Sequence, residues 1–111
     1  MLILKEKPTL KDFQQYVDEM DVERNFNKEN VIQKCLMLGE EVGELFKAIR
    51  KQDGIKIDPN SHIKSIEDEV ADVFIFLCAI ANRCNVDMES AFRAKEEINK
   101  ERVWIKANKK N

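Results

Sequence analysis

Two pairs of acidic residues stand at the same spacing in this sequence, Glu41 with Glu44 and Glu69 with Asp72. Within a helix, side chains three positions apart lie about 60° apart around the axis and share a side, so each pair can converge on one ion. Counting about 100° per residue, Glu69 falls between Ile66, Val73 and Phe76, and Asp72 sits beside Phe76 in the most hydrophobic part of the chain. Glu41 flanks a stripe formed by Leu38, Val42 and Leu45. A buried carboxylate without a partner is costly or takes up a proton, and carboxylates drawn together also repel. A divalent cation resolves both problems. Oxygen ligands, with no usable histidine and no thiolate pair, favour Mg²⁺, with Mn²⁺ as a substitute, over Zn²⁺. Acidic pairs at this spacing are also common on solvated helix faces, and Glu40 is read that way. The apolar neighbours of Glu69 and Asp72 weigh against it for them.

A second group carries the opposite charge. Lys95, Asn99 and Arg102 stand at i, i+4 and i+7, within about 60° of one another on a helix. They share that face with Ala91, Ile98 and Ile105, so their charges need partners. They could pair with the acidic residues, which requires no ligand. Equally, Lys95 and Arg102 could hold the oxygens of a metal-bound polyphosphate while Asn99 donates a hydrogen bond. Other reactive residues carry less. His62 falls in a loop and reads as solvated, and the Glu-x-x-His signature of di-iron bundles is missing. Cys35, Cys78 and Cys84 have no catalytic neighbours and read as free thiols of a reducing compartment. Trp104 reads as core or subunit interface, and no glycine-rich phosphate loop is present.

These groups must be positioned by helices. Thr9 and Asp12 form an N-cap signal for a first helix from about residue 10 to about residue 22, with Phe13, Val17 and Met20 at helical spacing. Asn27 can cap a second, with Ile32, Cys35, Leu38, Val42, Leu45 and Ile49 on one stripe, failing near Asp53-Gly54. The segment from Gly54 to His62 reads as the one substantial loop. Ser65 with Asp68 starts a third helix to about Cys84, whose stretch 70–81 is apolar on nearly every side and should be buried all round. Asp87 caps a fourth, from Met88 to near Ala107, followed by a polar tail at about 108–111. There is no repeat and no credible strand, so the expectation is an all-α, four-helix bundle-like protomer forming one domain over residues 1–111.

Bulk properties narrow the function. Charged residues make up 36% of the 111, yet the net charge is −2, and no basic block tracks a nucleic-acid backbone. The apolar run around Val73 is too short for a membrane span, and no secretory signal is visible, so a cytoplasmic protein is expected.

The ordered motifs resemble one family. The run Leu38-Gly-Glu-Glu-Val-Gly-Glu-Leu45, then Glu69-Val-Ala-Asp72, then Lys95 to Arg102 (KEEINKER), is similar to the E-x-x-E, E-x-x-D and K-x-x-x-N-x-x-R elements of the MazG-type all-α nucleotide pyrophosphohydrolases. Thr9 to Phe13 and Glu23 to Phe26 resemble the N-terminal region of the dCTP-pyrophosphatase branch. The resemblance implies cleavage of a (d)NTP between the α and β phosphorus to monophosphate and pyrophosphate, as house-cleaning of the nucleotide pool. Glu41, Glu44, Glu69 and Asp72 would hold Mg²⁺, with Glu41 the candidate base. Lys95, Asn99 and Arg102 would bind the triphosphate, and Phe26 is a candidate base contact. It also implies a homodimer or a dimer-built tetramer, which fits a third helix more hydrophobic than a lone small bundle needs. One departure is Lys51, where the dCTP-selective branch has an aromatic residue, which speaks against strict cytosine selectivity. The alternatives are a phosphoribosyl-ATP pyrophosphohydrolase of the same fold and a helical dimerisation or antitoxin-like module without catalysis.

Overall fold

The computed structural model describes residues 1–105, in the element order α1 (Leu10–Glu23), α2 (Val31–Gln52), α3 (Ile66–Arg83) and α4 (Met88–Lys100), with no strand among them. Each helix starts on a side-chain cap. Thr9 and Asp12 form the expected capping box for α1, Ser65 accepts from the Asp68 N–H, and Asp87 accepts from the Ser90 N–H. For α2 the cap is Asn30, not Asn27. Asn30 closes a box with Gln33 that Asn27 cannot make, because residues 26–29 are spent in a turn in which the Glu29 N–H donates to the Phe26 carbonyl.

With only three glycines and two prolines available, asparagine does much of the stopping. Asn25, Gly54 and Asn85 follow the ends of α1, α2 and α3 with φ of 61°, 69° and 55°. The next N–H reaches back in each case, Phe26 to Asp21, Ile55 to Arg50 and Val86 to Ala81, so three helices end in the same left-handed cap.

α2 and α3 pack along one another as an antiparallel pair, α1 lies across α3, and α4 packs chiefly against α1. The core is small. Val17 and Met20 of α1 meet Cys78 and Ala79 of α3, and Phe13 sets its ring edge-on to Phe74 at 5.3 Å. Gln14 fastens the α3–α4 turn: its amide donates to Asn82 Oδ1 and to the Val86 carbonyl, and its Oε1 accepts from the Met88 N–H.

Three expectations about faces are corrected. The inward face of α2 carries Lys34, Leu38, Glu41, Leu45 and Ala48, so Ile32, Cys35 and Ile49 point to solvent. α3 is not buried all round, since Val70 and Leu77 are 52% and 41% exposed. α4 stops at Lys100, short of the expected Ala107, and none of its residues is fully buried. Ala107 and the tail at 108–111 lie outside the described residues. The radius of gyration is 17.8 Å, against about 13 Å for a compact chain of this length, so the four helices do not close into a bundle around one core. None of the described helices is long and apolar enough to cross a membrane.

Candidate metal centre

The antiparallel register of α2 and α3 sets Glu41 opposite Glu69 and Asp72. One carboxylate oxygen from each of the three lies within 4.8 Å of the others. Glu69 is 1% exposed, and its Oε2 has no hydrogen-bond partner among the described residues. Burial pushes the Glu41 carboxyl above the usual carboxylate range; the hydrogen bond with Glu69 and the charges of Asp72 and Glu69 push it the same way, and Lys64 opposes them weakly. Asp72 forms the open side of the trio, with Lys64 Nζ 3.7 Å from its Oδ2. Three carboxyl groups crowded into one partly buried spot, one with an orphaned oxygen, are what a hard divalent cation would satisfy, and the all-oxygen donor set suits Mg²⁺ or Mn²⁺.

The fourth expected carboxylate stands apart from the trio. Glu44 lies one turn along α2 with its side chain 40% exposed and its Oε1 3.8 Å from Lys47 Nζ. The expected cationic face is not brought to the acids within one chain either. Lys95 is exposed on α4, Arg102 lies beyond the end of that helix and is exposed, and Ile98 and Ile105, expected inside, are outside. Asn99 is half-buried, and its Oδ1 has no partner among the described residues. Trp104 is 77% exposed, so it is not core, and His62 is exposed as expected.

A second charged cluster, missed in the sequence, lies next to the trio. Lys34 is 2% exposed; its ammonium donates to Glu29 Oε1 at 3.0 Å and stands 3.9 Å from Asp21 Oδ1. It also lies 5.1 Å from the centroid of the Phe26 ring and 5.6 Å from that of Phe76. Asp21, itself 3% exposed, receives Arg83 Nη1 on its other oxygen at 3.0 Å. Arg83 donates further to the carbonyls of Phe26 and Glu29, which ties down the loop between α1 and α2. The signal was present: Lys34, Leu38, Glu41, Leu45 and Ala48 keep helical spacing. Starting the stripe at Ile32 rotated the inferred face and put Lys34 outside.

Residues 26–102 match the family described as the MazG nucleotide pyrophosphohydrolase domain. The chain is 33% identical over 104 residues to dCTP pyrophosphatase 1 of Mus musculus, an alignment covering 89% of this chain and 61% of that protein. It therefore spans about three-fifths of the length of the curated relatives it matches. Among solved structures, iMazG from Vibrio DAT 722 superposes with a TM-score of 0.65 at 31% identity, covering 84% of this chain and 95% of that one. The cyanophage S-2L MazG-like pyrophosphohydrolase, bound to dGDP and three catalytic Mn²⁺ ions per active site, superposes at 0.68 with 27% identity, covering 94% and 90%.

Proposed function

Because this chain belongs to the MazG nucleotide pyrophosphohydrolase domain family, we propose that it is a Mg²⁺-dependent hydrolase that converts a (d)NTP to the monophosphate and pyrophosphate. The observation that carries this reading is the Glu41–Glu69–Asp72 trio, whose crowded carboxyl groups lack a counter-charge equal to their own. Glu41, Glu69 and Asp72 hold the metal. Glu44 joins them by turning away from Lys47, an exposed contact worth little. When bound, the metal supplies charge neutralisation at the phosphates and an acidified water. Glu41 is assigned the proton of the attacking water at its carboxylate oxygen. Curated relatives are dCTP pyrophosphatases and the cyanophage protein holds dGDP, which supports a dNTP as substrate and a house-cleaning role.

Lys95, Asn99 and Arg102 bind the triphosphate in a homo-oligomer, dimer or dimer-built tetramer. Support comes from the exposed apolar side chains Ile32, Leu36 and Phe46 on α2, Val70 and Leu77 on α3, and Phe92 and Ile98 on α4. Such faces call for a covering partner. Self-association would cover them and bring α4 of one copy to the acids of another. The free thiols Cys35, Cys78 and Cys84 fit a cytoplasmic setting.

The reading is tested by incubating the protein with each dNTP, each NTP and phosphoribosyl-ATP, in Mg²⁺ or EDTA. Turnover of dNTPs in Mg²⁺ alone is expected. Turnover confined to phosphoribosyl-ATP would move the assignment to that substrate, and a folded protein inert on all of them would leave a helical interaction module.

A further inference from the structure

Lys64 makes the one ion pair that the carboxylate trio has among the described residues, with its Nζ 3.7 Å from Asp72 Oδ2. That separation is too long for a hydrogen bond, so the ammonium is held by charge alone. Its charge also reaches Glu41, whose carboxyl it pulls weakly downward against the raising influences of burial, Glu69 and Asp72. Lys64 stands one position before Ser65, whose hydroxyl caps α3 by accepting the Asp68 N–H at 3.1 Å. The cap fixes the backbone that carries Lys64, while the side chain itself is 50% exposed and has room to turn. Lys64 also lines a groove of about 550 Å³ between the end of α2 and the start of α3. Lys51 and Gln52 line the same groove, and Glu67 is the one acid there, so two cations face a single carboxylate.

We propose that Lys64 is a substrate-binding residue, which leaves Asp72 for a phosphate oxygen of the nucleotide when a divalent cation is held by the trio. The inference rests on the pyrophosphohydrolase reading above and deepens it. It gives the triphosphate a cation from the same chain that holds the acids, whereas α4, with Lys95, packs chiefly against α1. Charge drives the exchange. Once a divalent cation has neutralised Asp72, nothing there attracts an ammonium, and like charges a few ångströms apart repel. A half-exposed pair of this kind is worth little, so its release costs little. A nucleotide bound at the same cation brings several negative oxygens to that spot, and an ammonium meets them as a point charge that needs no fixed geometry. The groove that Lys64 shares with Lys51 carries the same positive character away from the trio. The Lys64 ammonium binds charge and moves no proton.

The test compares the wild type with Lys64→Ala, with Lys64→Arg, which keeps the charge, and with Lys56→Ala, which removes the same charge from an exposed position in the same loop. Folding of each is checked by circular dichroism. Binding of inorganic pyrophosphate is measured by calorimetry in Mg²⁺ and in EDTA, and kcat/KM is measured for each dNTP. In Mg²⁺, Lys64→Ala should weaken pyrophosphate binding about tenfold, the low end for a hydrogen bond to a charged group because the side chain is half exposed. Lys64→Arg should recover most of that loss, Lys56→Ala should lose less than about twofold, and kcat/KM should follow the same order. A wild type that binds no pyrophosphate in Mg²⁺, or a Lys64→Ala protein that binds it as tightly as the wild type, overturns the proposal. So does an equal loss with Lys56→Ala, the mark of a general charge effect, or an equal dependence on Lys64 in EDTA, where Asp72 still holds the lysine. Absence of turnover on every nucleotide, with Lys64-dependent pyrophosphate binding intact, counts against the hydrolase reading and leaves the phosphate contact standing.

Discussion

Glu41 of α2 and Glu69 of α3 bring carboxylate oxygens within 4.8 Å of each other at a place where Glu69 is 1% exposed, so two like-charged groups share one spot. A fold that needed only stability gains nothing from such a pair, because the neighbouring acids raise the cost of ionising Glu41. The pair is tolerable with a proton between the two groups or with a cation beside them.

Replacing Glu69 by Gln separates the two requirements. The amide keeps the shape and removes one buried charge, so the metal-free protein should gain about 1 kcal/mol of stability in urea unfolding. Activity should fall more than about 100-fold, since loss of a ligand exceeds the loss of a supporting contact. A variant less stable than the wild type without metal would show that the pair is not repulsive.

The pH dependence has a definite sign. Glu41 binds its proton more tightly folded than unfolded, so its contribution to stability is complete below the unfolded pKa and is lost as the pH rises through the raised folded value. In EDTA, the urea midpoint should therefore fall from about pH 5 to about pH 7. Mg²⁺ should reverse the trend, because it requires the deprotonated form and stabilises the folded state as it binds. A midpoint that rises with pH in EDTA would contradict the assignment.

Lys64 is a built-in counter-ion to Asp72, and its side chain is 50% exposed. At that exposure the contact is screened and modest. Lys64→Ala should tighten Mn²⁺ binding by calorimetry about two- to fivefold at low salt, an effect that shrinks as salt is added.

Gln14→Ala tests how α4 is held. It removes the acceptor of the Met88 N–H and the donor to Val86 and Asn82 in a part-buried setting, and should cost about 2 kcal/mol by chemical denaturation with little change in metal affinity.

The sequence was legible where local rules decide. Thr9 with Asp12, Ser65 with Asp68, and Asp87 mark helix starts through short-range hydrogen bonds, and the structure uses all three as caps. The inward position of Glu69 followed from its apolar neighbours at helical spacing. What failed was long-range. The α2 face was rotated because Ile32 and Ile49 are apolar yet exposed, and apolarity alone does not say whether a residue faces its own core or another surface. Lys34 was overlooked for the converse reason: it keeps helical spacing with Leu38 and Glu41, but a lysine on that face becomes tolerable only through Asp21, Glu29 and Arg83, a pairing that spacing alone does not show. The α4 cations are dispersed for a related reason. Their helix packs chiefly against α1, so among the described residues of one chain they do not reach the acids, and the proposed meeting with them calls for a second copy.

That dependence is open to test. Phe46→Asp places a charge on the exposed α2 face without touching the trio, and should lower the mass measured by light scattering to that of one chain and lower activity with it. A wild type already monomeric and active would remove the shared-site account.

The central claim is tested most directly by following one dNTP with ³¹P NMR in the presence of Mg²⁺. The account predicts that triphosphate resonances give way to monophosphate and pyrophosphate in equal amounts, that EDTA stops the conversion, and that Glu69→Gln does the same. Release of inorganic phosphate with a diphosphate, or undiminished turnover by Glu69→Gln, would contradict it.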